Sequence, residues 1–279
     1  MSRLSKKRTG RCVAGHDILS TMFWPLFRKS SQNMINLDNV QAVLFDLDGT
    51  LIDVDMNRFV PIYLRRLTGY MSDQVSPAHA IQSLHNAVAA MFANTDANRT
   101  LESILFEVLE SELAISPEQY AECLESFCQN DLEELRPLVA GHPLSSQLIA
   151  SSLGRGWKVV LATNPIFPRA IIDARLAWGE LDGEAFHHVT AYETAHFCKP
   201  SASFFEEILD YLKVPAEACL MVGNDTLHDL SASQVGMQTC LLTPWRIDRP
   251  GQRFKSDWQG CHEELLALIE STDPETPID

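Results

Sequence analysis

The chain has 279 residues, of which 46% are hydrophobic and 21% are charged, and its formal net charge is −15 at pH 7. This composition is typical of a globular protein with one large domain or two unequal ones, and the acidic balance argues against nucleic acid as the main ligand, because phosphate backbones bind basic grooves. Seven cysteines occur without a C-x-x-C pair, which favours a reducing, cytoplasmic compartment over a disulfide framework or a zinc site.

The first 33 residues differ in charge from the rest of the chain. They hold seven Lys/Arg and one Asp, whereas the other 246 residues hold 15 Lys/Arg and 36 Asp/Glu. A basic segment almost free of acids is typical of a transit-like or surface-binding sequence. The alternatives are a disordered extension and a true start at Met34. Its apolar stretch, residues 18–27, is too short and interrupted to span a bilayer, so no transmembrane segment is predicted.

The segment from Gln41 to Asp46 reads as a buried strand, and the region after it changes character. Between Asp55 and Glu134 the apolar residues recur at helical spacing with few strand signals, which predicts about four helices. Pro77 and Pro117 stand where helices should start.

After Pro137, strands and helices alternate. Strands are predicted over 157–163, 187–193, 218–223 and 238–243, and helices over 144–153, 171–176, 203–212, from 227 onward and over 261–270. This alternation predicts an α/β fold with a Rossmann-like, doubly wound parallel sheet. We expect a disordered extension over 1–35, an α/β core over 36–54 and 136–270, a helical cap over 55–135 and a disordered tail over 271–279.

Polar residues come directly after four of the predicted strands. They are Asp46 and Asp48, then Thr163 and Asn164, then Lys199, and finally Asn224, Asp225 and Asp229. Ligands of such sheets bind at the carboxyl ends of the strands, so we expect these side chains to meet at one edge.

Two acids two residues apart on extended backbone point the same way and repel each other. Mg²⁺ resolves that repulsion, because it prefers carboxylate, carbonyl and water oxygens. Asp225 would complete the protein ligands, and Asp229, one helical turn later, would bind the ion or its waters. Lys199 offers a charge for an anion and Thr163 a hydrogen-bond donor, which together predict a phosphoryl site.

In order and spacing, "DLDGT", the Thr163 strand end, "KP" at Lys199 and "GNDTLHD" resemble the four motifs of the haloacid dehalogenase superfamily, and the long helical insert resembles its mobile cap. The resemblance implies a Mg²⁺-dependent phosphatase of a small phosphorylated metabolite. Asp46 would be the nucleophile and Asp48 the acid and base. Thr163 and Asn164 would hold the phosphoryl group, and Lys199 would steady Asp46. The implied metal residues are Asp46, Asp48 through its backbone carbonyl, and Asp225, with Asp229 in support.

Single residues of this sequence distinguish it from two other enzyme classes of that superfamily. Metal-free dehalogenases lack the second Asp of the first motif, which is Asp48 here. Phosphonoacetaldehyde hydrolases need a cap lysine, and no lysine lies between Met34 and Trp157. A phosphomutase and a non-catalytic protein of the same fold stay open as alternatives.

One candidate for substrate recognition lies in the cap. The polar stretch "NTDANRT", Asn94 to Thr100, separates two apolar helical runs, so we expect it to face the active site and Arg99 to bind the substrate. The alternative is a solvated surface turn. The identity of the phosphate ester and the oligomeric state are left open.

Overall fold

The structure is a computed structural model that describes residues 35–73, 75–251 and 253–271. The expected disordered extension and tail therefore lie outside the described residues, apart from Ile35 and Ser271. Within the described ranges, no helix combines the length and apolar character needed to cross a membrane.

A six-stranded parallel sheet forms the centre of the molecule, as the alternation of elements predicts. Its strands, in chain order, are β1 (Ala42–Phe45), β4 (Lys158–Leu161), β5 (His188–Val189), β6 (Cys219–Gly223), β7 (Gln238–Leu242) and β8 (Trp258–Gly260). The order across the sheet is β5-β4-β1-β6-β7-β8. All four residues of β1 are buried, because helices cover both faces of the sheet.

Two further strands lie outside this sheet. β2 (Ile52–Val54) pairs antiparallel with β3 (Val139–Gly141), and together they form a two-stranded ribbon. The chain leaves the first core strand through β2 and returns through β3. The ribbon therefore joins everything between these strands to the core.

The eight α-helices of the described ranges fall into two groups. Between the ribbon strands lie α1 (Met56–Gly69), α2 (Pro77–Ala93), α3 (Leu101–Leu113) and α4 (Pro117–Asn130), which we call the helical insertion. The sheet is flanked by α5 (Ser145–Gly154), α6 (Arg169–Trp178), α7 (Ala202–Leu212) and α8 (His262–Ser271). Pro77 and Pro117 occupy first turns, as expected, behind the capping side chains of Ser76 and Ser116.

Three elements differ from the sequence-based prediction. The helix expected from residue 227 is a short 3₁₀ helix at Leu230–Val235. The ribbon and β8 were not predicted, since their strands are three residues long and too short to show a period of two.

The helical insertion packs on the core through an aromatic cluster. The ring of Tyr63 lies 5.4 Å from that of Phe167 and 5.6 Å from that of Phe127, and Phe59 lies 6.1 Å from Phe167. Phe167 belongs to the core, whereas the other three rings belong to the insertion. These edge-to-face contacts hold the insertion over the carboxyl edge of the sheet.

His262 opens α8 and supports the loop after β1. Its Nε2 lies 2.7 Å from the carbonyl oxygen of Thr50, so this nitrogen is the donor and Nδ1 is unprotonated. Nδ1 is buried without a hydrogen-bond partner among the described residues, and the ring stacks on His142 at 3.6 Å. Burial lowers the pKa of His262 to about 4.

This geometry predicts an acid-labile fold. The unfolded chain binds a proton on His262 near pH 6.5, well above the folded pKa, so the stability that depends on the neutral ring is complete above pH 6.5 and falls as the pH drops toward 4. Urea denaturation measures how far the free energy of unfolding falls between pH 7.5 and pH 5. This decrease should be about 2 kcal/mol smaller in His262→Gln than in the wild type, because glutamine donates the same hydrogen bond without titrating. The exposed His79→Gln is the control and should behave like the wild type; equal losses in all three proteins would contradict the assignment.

Candidate active site

A cavity of about 450 Å³ opens at the carboxyl edge of the sheet, beneath the helical insertion. It is lined by all eight polar residues that the sequence placed at strand ends: Asp46, Asp48, Thr163, Asn164, Lys199, Asn224, Asp225 and Asp229. Arg99, the site residue predicted in the helical insertion, does not line it. The strand ends therefore do converge, because β4, β1 and β6 are neighbours in the sheet.

The floor of the cavity is a buried ionic triad of Lys199, Asp46 and Asp229. The Nζ of Lys199 donates to Asp46 Oδ1 and to Asp229 Oδ1, each at 2.7 Å. Lys199 is 1% exposed, so its charge has almost no water to solvate it. The two carboxylates replace that water, and without them the ammonium would not be tolerated at this depth.

The pKa values in the triad reflect burial and pairing together. Burial opposes the charge of Lys199, but the carboxylates of Asp229 and Asp46 outweigh it and raise the pKa of the ammonium. Burial also raises the pKa of Asp46, and that of Asp229 to about 6, while Lys199 opposes both rises. The lysine is thus held in its charged form beside Asp46.

Asp229 binds both Lys199 and the backbone of the turn after β6. While Oδ1 binds Lys199, Oδ2 accepts the backbone N–H groups of Asn224 at 2.9 Å and Asp225 at 2.8 Å. Both oxygens are therefore occupied by donors. Gly223 makes this possible, because a Cβ there would lie 2.2 Å from the Asp229 carboxylate.

Asp48 is held by an arginine that the sequence analysis missed. Nη1 of Arg175 donates to Asp48 Oδ1 at 2.8 Å and to Oδ2 at 2.7 Å. The Arg175 side chain is 0% exposed, and its guanidinium carbon packs against two rings, 4.6 Å from the centroid of Phe167 and 5.7 Å from that of Phe59. The side chain of Asp48 is thereby fixed by an arginine. The metal contact expected of Asp48 is through its backbone carbonyl, which this pairing does not involve.

Arg175 left a signal in the sequence that could have revealed it. It lies on α6 four residues after Ile171 and three after Ile172, which places it on the apolar stripe of that helix. An arginine on a buried stripe needs an anionic partner, since a buried charge must be paired. Asp46 and Asp48, the acids that follow β1, were candidates for that partner.

Asp225 is surrounded by donors on the other side of the cavity. Its Oδ1 accepts the N–H groups of Leu227 and His228, both at 2.9 Å, and its Oδ2 accepts Nε of Arg249 at 2.6 Å. Although burial opposes the charge, these three donors lower the pKa of Asp225. Arg249, which no sequence motif identified, is therefore a cation at the cavity wall.

Thr163 and Asn164 come after β4 and lie at the cavity wall. The backbone carbonyl of Thr163 accepts the hydroxyl of Thr190 at 2.7 Å. Asn164 Oδ1 accepts the backbone N–H of Lys199 at 2.9 Å, and its Nδ2 lies 3.3 Å from His228 Nδ1. Asn164 therefore positions the lysine through its side chain, a function that the sequence did not suggest.

Gly49 brings the loop after β1 close to the end of β6. Its φ is +81°, and a Cβ at this position would lie 2.3 Å from Asn224 Nδ2. A side chain here would be strained and would also clash. The glycine therefore lets Thr50 approach Asp46, so that the Thr50 hydroxyl lies 3.3 Å from Asp46 Oδ2.

The expected orientation of Arg99 toward the cavity is not what the structure has. Arg99 pairs with Glu107 on α3, and both side chains are exposed. The loop from Asn94 to Thr100 packs instead on the core, where Asn94 Nδ2 donates to the carbonyl of His196 at 2.8 Å. The acid on the neighbouring helix turns Arg99 outward, and sequence spacing alone does not show that contact.

The donor set at the cavity suits a cation that keeps much of its water. Among the described residues, no group of three or more His, Cys, Asp or Glu side chains is arranged to hold a metal ion. What the cavity offers is the carboxylates of Asp46 and Asp225 on adjacent strands, close to the Asp48 backbone. Mg²⁺ is typically bound by one or two carboxylates, with waters and substrate phosphate completing its shell, so these residues fit it.

Comparison with protein families gives one family model that matches residues 40–235, and it describes a haloacid dehalogenase-like hydrolase. Pyrophosphatase PpaX of Bacillus mycoides (strain KBAB4) is 23% identical over 208 residues, which cover 75% of this chain and 85% of that protein. Pyrophosphatase PpaX of Anoxybacillus flavithermus (strain DSM 21510 / WK1) is 25% identical over 209 residues, covering 75% and 86%.

Solved structures share the fold. A predicted phosphoglycolate phosphatase from Haemophilus somnus 129pt superposes with a TM-score of 0.51 at 16% identity, covering 84% of this chain and 99% of that one. A dehalogenase solved with an intermediate complex gives the same TM-score and identity, with 84% and 98% covered. At these identities, the likeness shows the α/β fold with its helical insertion.

The ionic triad predicts a large cost for removing its cation. In Lys199→Met, the Asp46 and Asp229 carboxylates lose the charge that compensates them, so the free energy of unfolding should fall by about 3–5 kcal/mol. Urea denaturation in the presence of a chelator measures this without a contribution from bound metal. Lys213→Met, at an exposed position, is the matched control and should change stability by less than about 0.5 kcal/mol. Equal stability of the two variants would mean that the triad is not energetically coupled.

Proposed function

The chain belongs to the haloacid dehalogenase-like hydrolases, and from this premise we propose that it is a Mg²⁺-dependent phosphatase that hydrolyses a small phosphate monoester through an aspartyl-phosphate on Asp46. The observation that carries the proposal is the position of Asp46. Its carboxylate lies at the end of a fully buried strand, is held by Lys199 at 2.7 Å and still faces the cavity.

In the first half of the reaction, an oxygen of Asp46 attacks phosphorus. A bond forms between Asp46 and phosphorus, the ester P–O bond breaks, and Asp48 in its protonated form gives its proton to the departing alcohol. Lys199 holds Asp46 in one orientation throughout. Thr163 and the backbone at Asn164 stand at the wall where they can donate to phosphoryl oxygens.

In the second half, water attacks the phosphorus of the aspartyl-phosphate. Asp48, now ionised, takes a proton from that water, the bond between phosphorus and Asp46 breaks, and inorganic phosphate leaves. Asp48 fits this exchange because Arg175 fixes its side chain while each carboxylate oxygen keeps a lone pair free. Arg175 is thus a positioning residue for the proton transfer.

Asp46, Asp225 and the backbone carbonyl of Asp48 would hold the Mg²⁺ ion. When bound, the ion neutralises charge on the phosphoryl group and orients it. Asp225 is kept ionised by its two backbone donors. Arg249 donates to Oδ2 of Asp225, so a metal ion and this guanidinium would compete for the same carboxylate.

Asp46→Asn tests the nucleophile. An amide is a far poorer nucleophile, so hydrolysis of 4-nitrophenyl phosphate should fall by at least about a thousandfold while the circular dichroism spectrum is retained. Asp53→Asn makes the same chemical change at a residue of β2 that does not line the cavity, and its rate should stay near that of the wild type. A folded Asp46→Asn variant with normal turnover would remove Asp46 from this role.

Metal binding is tested without relying on turnover. Mg²⁺ should raise the melting temperature of the wild type, because a ligand that binds only the folded state stabilises it. In Arg249→Ala, the competing cation is gone, so the Mg²⁺ dissociation constant should fall by about threefold to tenfold, which is the range for a partly exposed charge pair.

Arg246→Ala is the matched control for Arg249→Ala. Arg246 lies on the same segment but pairs with Asp248 away from the cavity, so its removal should leave the Mg²⁺ affinity unchanged. A melting temperature of the wild type that does not respond to Mg²⁺ would contradict the metal site. Weaker Mg²⁺ binding by Arg249→Ala would show that the arginine assists the ion.

A further inference from the structure

Large apolar side chains are exposed around the mouth of the cavity. Phe92 is 41% exposed, Trp245 44% and Ile247 42%, and all three line the cavity. Among the described residues, only Leu153 and Tyr211 are exposed in the same way elsewhere. Single exposed apolar residues are normal, whereas a group of them around a cavity indicates a binding surface.

This apolar rim, defined as Phe92, Trp245 and Ile247, is held in place from two sides. The segment after β7 is tied to the end of β6, because Ile247 N–H donates to the Asn224 carbonyl at 2.8 Å and Asn224 Nδ2 donates to the Trp245 carbonyl at 2.7 Å. Phe92 comes from the last turn of α2, and its ring lies 6.1 Å from that of His228. The rim therefore faces the groups that would hold phosphate and metal.

The cationic side chains that line the cavity are already paired with carboxylates, so few remain to bind a second anionic group on a substrate. Lys199 is buried between two carboxylates, and Arg249 is engaged by Asp225. The helical insertion contains no lysine, and none of its arginines lines the cavity. On that side the cavity is lined by the apolar residues Val54, Met56 and Phe92 and by the polar residues Asp55 and Asn57, none of which is a lysine or an arginine.

We propose that the apolar rim is a leaving-group subsite for an uncharged aromatic group, so that the substrate class is phosphate monoesters of arylalkyl or aryl alcohols. This inference rests on the proposed phosphatase function and names its substrate class. The bonds made and broken are those of the reaction above, with the aromatic alcohol as the group that leaves. Pyrophosphate and carboxylate-bearing phosphate esters would place a second anion against apolar carbon, which is unfavourable without a pairing cation.

The test compares two esters that differ only by an aromatic ring. Ethyl phosphate and 2-phenylethyl phosphate are both esters of primary alcohols, so a difference in kcat/KM measures contact with the ring. With the wild type and Mg²⁺, 2-phenylethyl phosphate should exceed ethyl phosphate by about tenfold to a hundredfold, in line with burial of an aromatic ring. It should also exceed 2-phosphoglycolate and pyrophosphate.

The variants locate the subsite. Phe92→Ala and Trp245→Ala should each lower the ratio of the two kcat/KM values, 2-phenylethyl to ethyl, by about fivefold to tenfold, mainly through KM. Both side chains are exposed, so the fold should tolerate these changes, and circular dichroism checks this. Tyr211→Ala removes an exposed aromatic residue that does not line this cavity, and its ratio should match that of the wild type.

Each outcome separates the inference from its premise. Equal kcat/KM values for the two esters, or a ratio unchanged in both rim variants, would overturn the subsite while the phosphatase function stands. A preference for 2-phosphoglycolate or pyrophosphate that Arg249→Ala abolishes would overturn it in favour of an anionic leaving group. Failure of the wild type to hydrolyse any of the four compounds would instead overturn the phosphatase function and the subsite with it.

Discussion

Lys199 is the buried charge on which the arrangement of the cavity depends. Its ammonium is almost fully enclosed, and among the described residues the carboxylates of Asp46 and Asp229 compensate it. Asp229 in turn accepts the N–H groups of Asn224 and Asp225, which fixes the turn after β6. Lys199 thus orients Asp46, the proposed nucleophile after β1. Through Asp229 it also sets the position of Asp225, the proposed metal ligand after β6. A loss at Lys199 would disturb both.

Pairing continues outward from that centre. Asp48 is held by Arg175 and Asp225 by Arg249, so each of the four carboxylates predicted for the site contacts a cation. Three cations against these four carboxylates give the cluster a small negative charge. A Mg²⁺ ion and a phosphate monoester dianion together carry no net charge. Under our proposal they can therefore bind as a pair without changing the net charge of the site. Binding of the metal ion alone or of the dianion alone would add two units of uncompensated charge to a site of low dielectric constant.

Local pattern and chain order were enough to predict the fold and to bring together the polar residues that follow the strands. A parallel sheet was predicted from the apolar run before Asp46 and from the alternation of strands and helices. The polar residues that follow the strands were then predicted to lie at one edge of that sheet, and eight side chains do so. The apolar stripe of α6 indicates that Arg175 is buried, but the partners of Arg175 and Arg249 could not be identified, because they are 127 and 24 residues away and only the fold brings them together. Arg99 was misplaced because Glu107, on the next helix, draws it outward. The backbone contacts of Asp229 were not predicted, because helical spacing shows which face a residue takes and does not show that the N–H groups of Asn224 and Asp225 will bind its carboxylate.

The most direct test of the account is to trap the covalent intermediate. The enzyme is mixed with Mg²⁺ and 2-phenylethyl phosphate, quenched in acid during turnover and reduced with borohydride, which converts an aspartyl-phosphate to homoserine. Peptide mass mapping then locates the modified residue. The account predicts homoserine at position 46 and unmodified aspartate at 48, 225 and 229. Homoserine at another position, or a chain left unmodified at 46 while the ester is consumed, would contradict it.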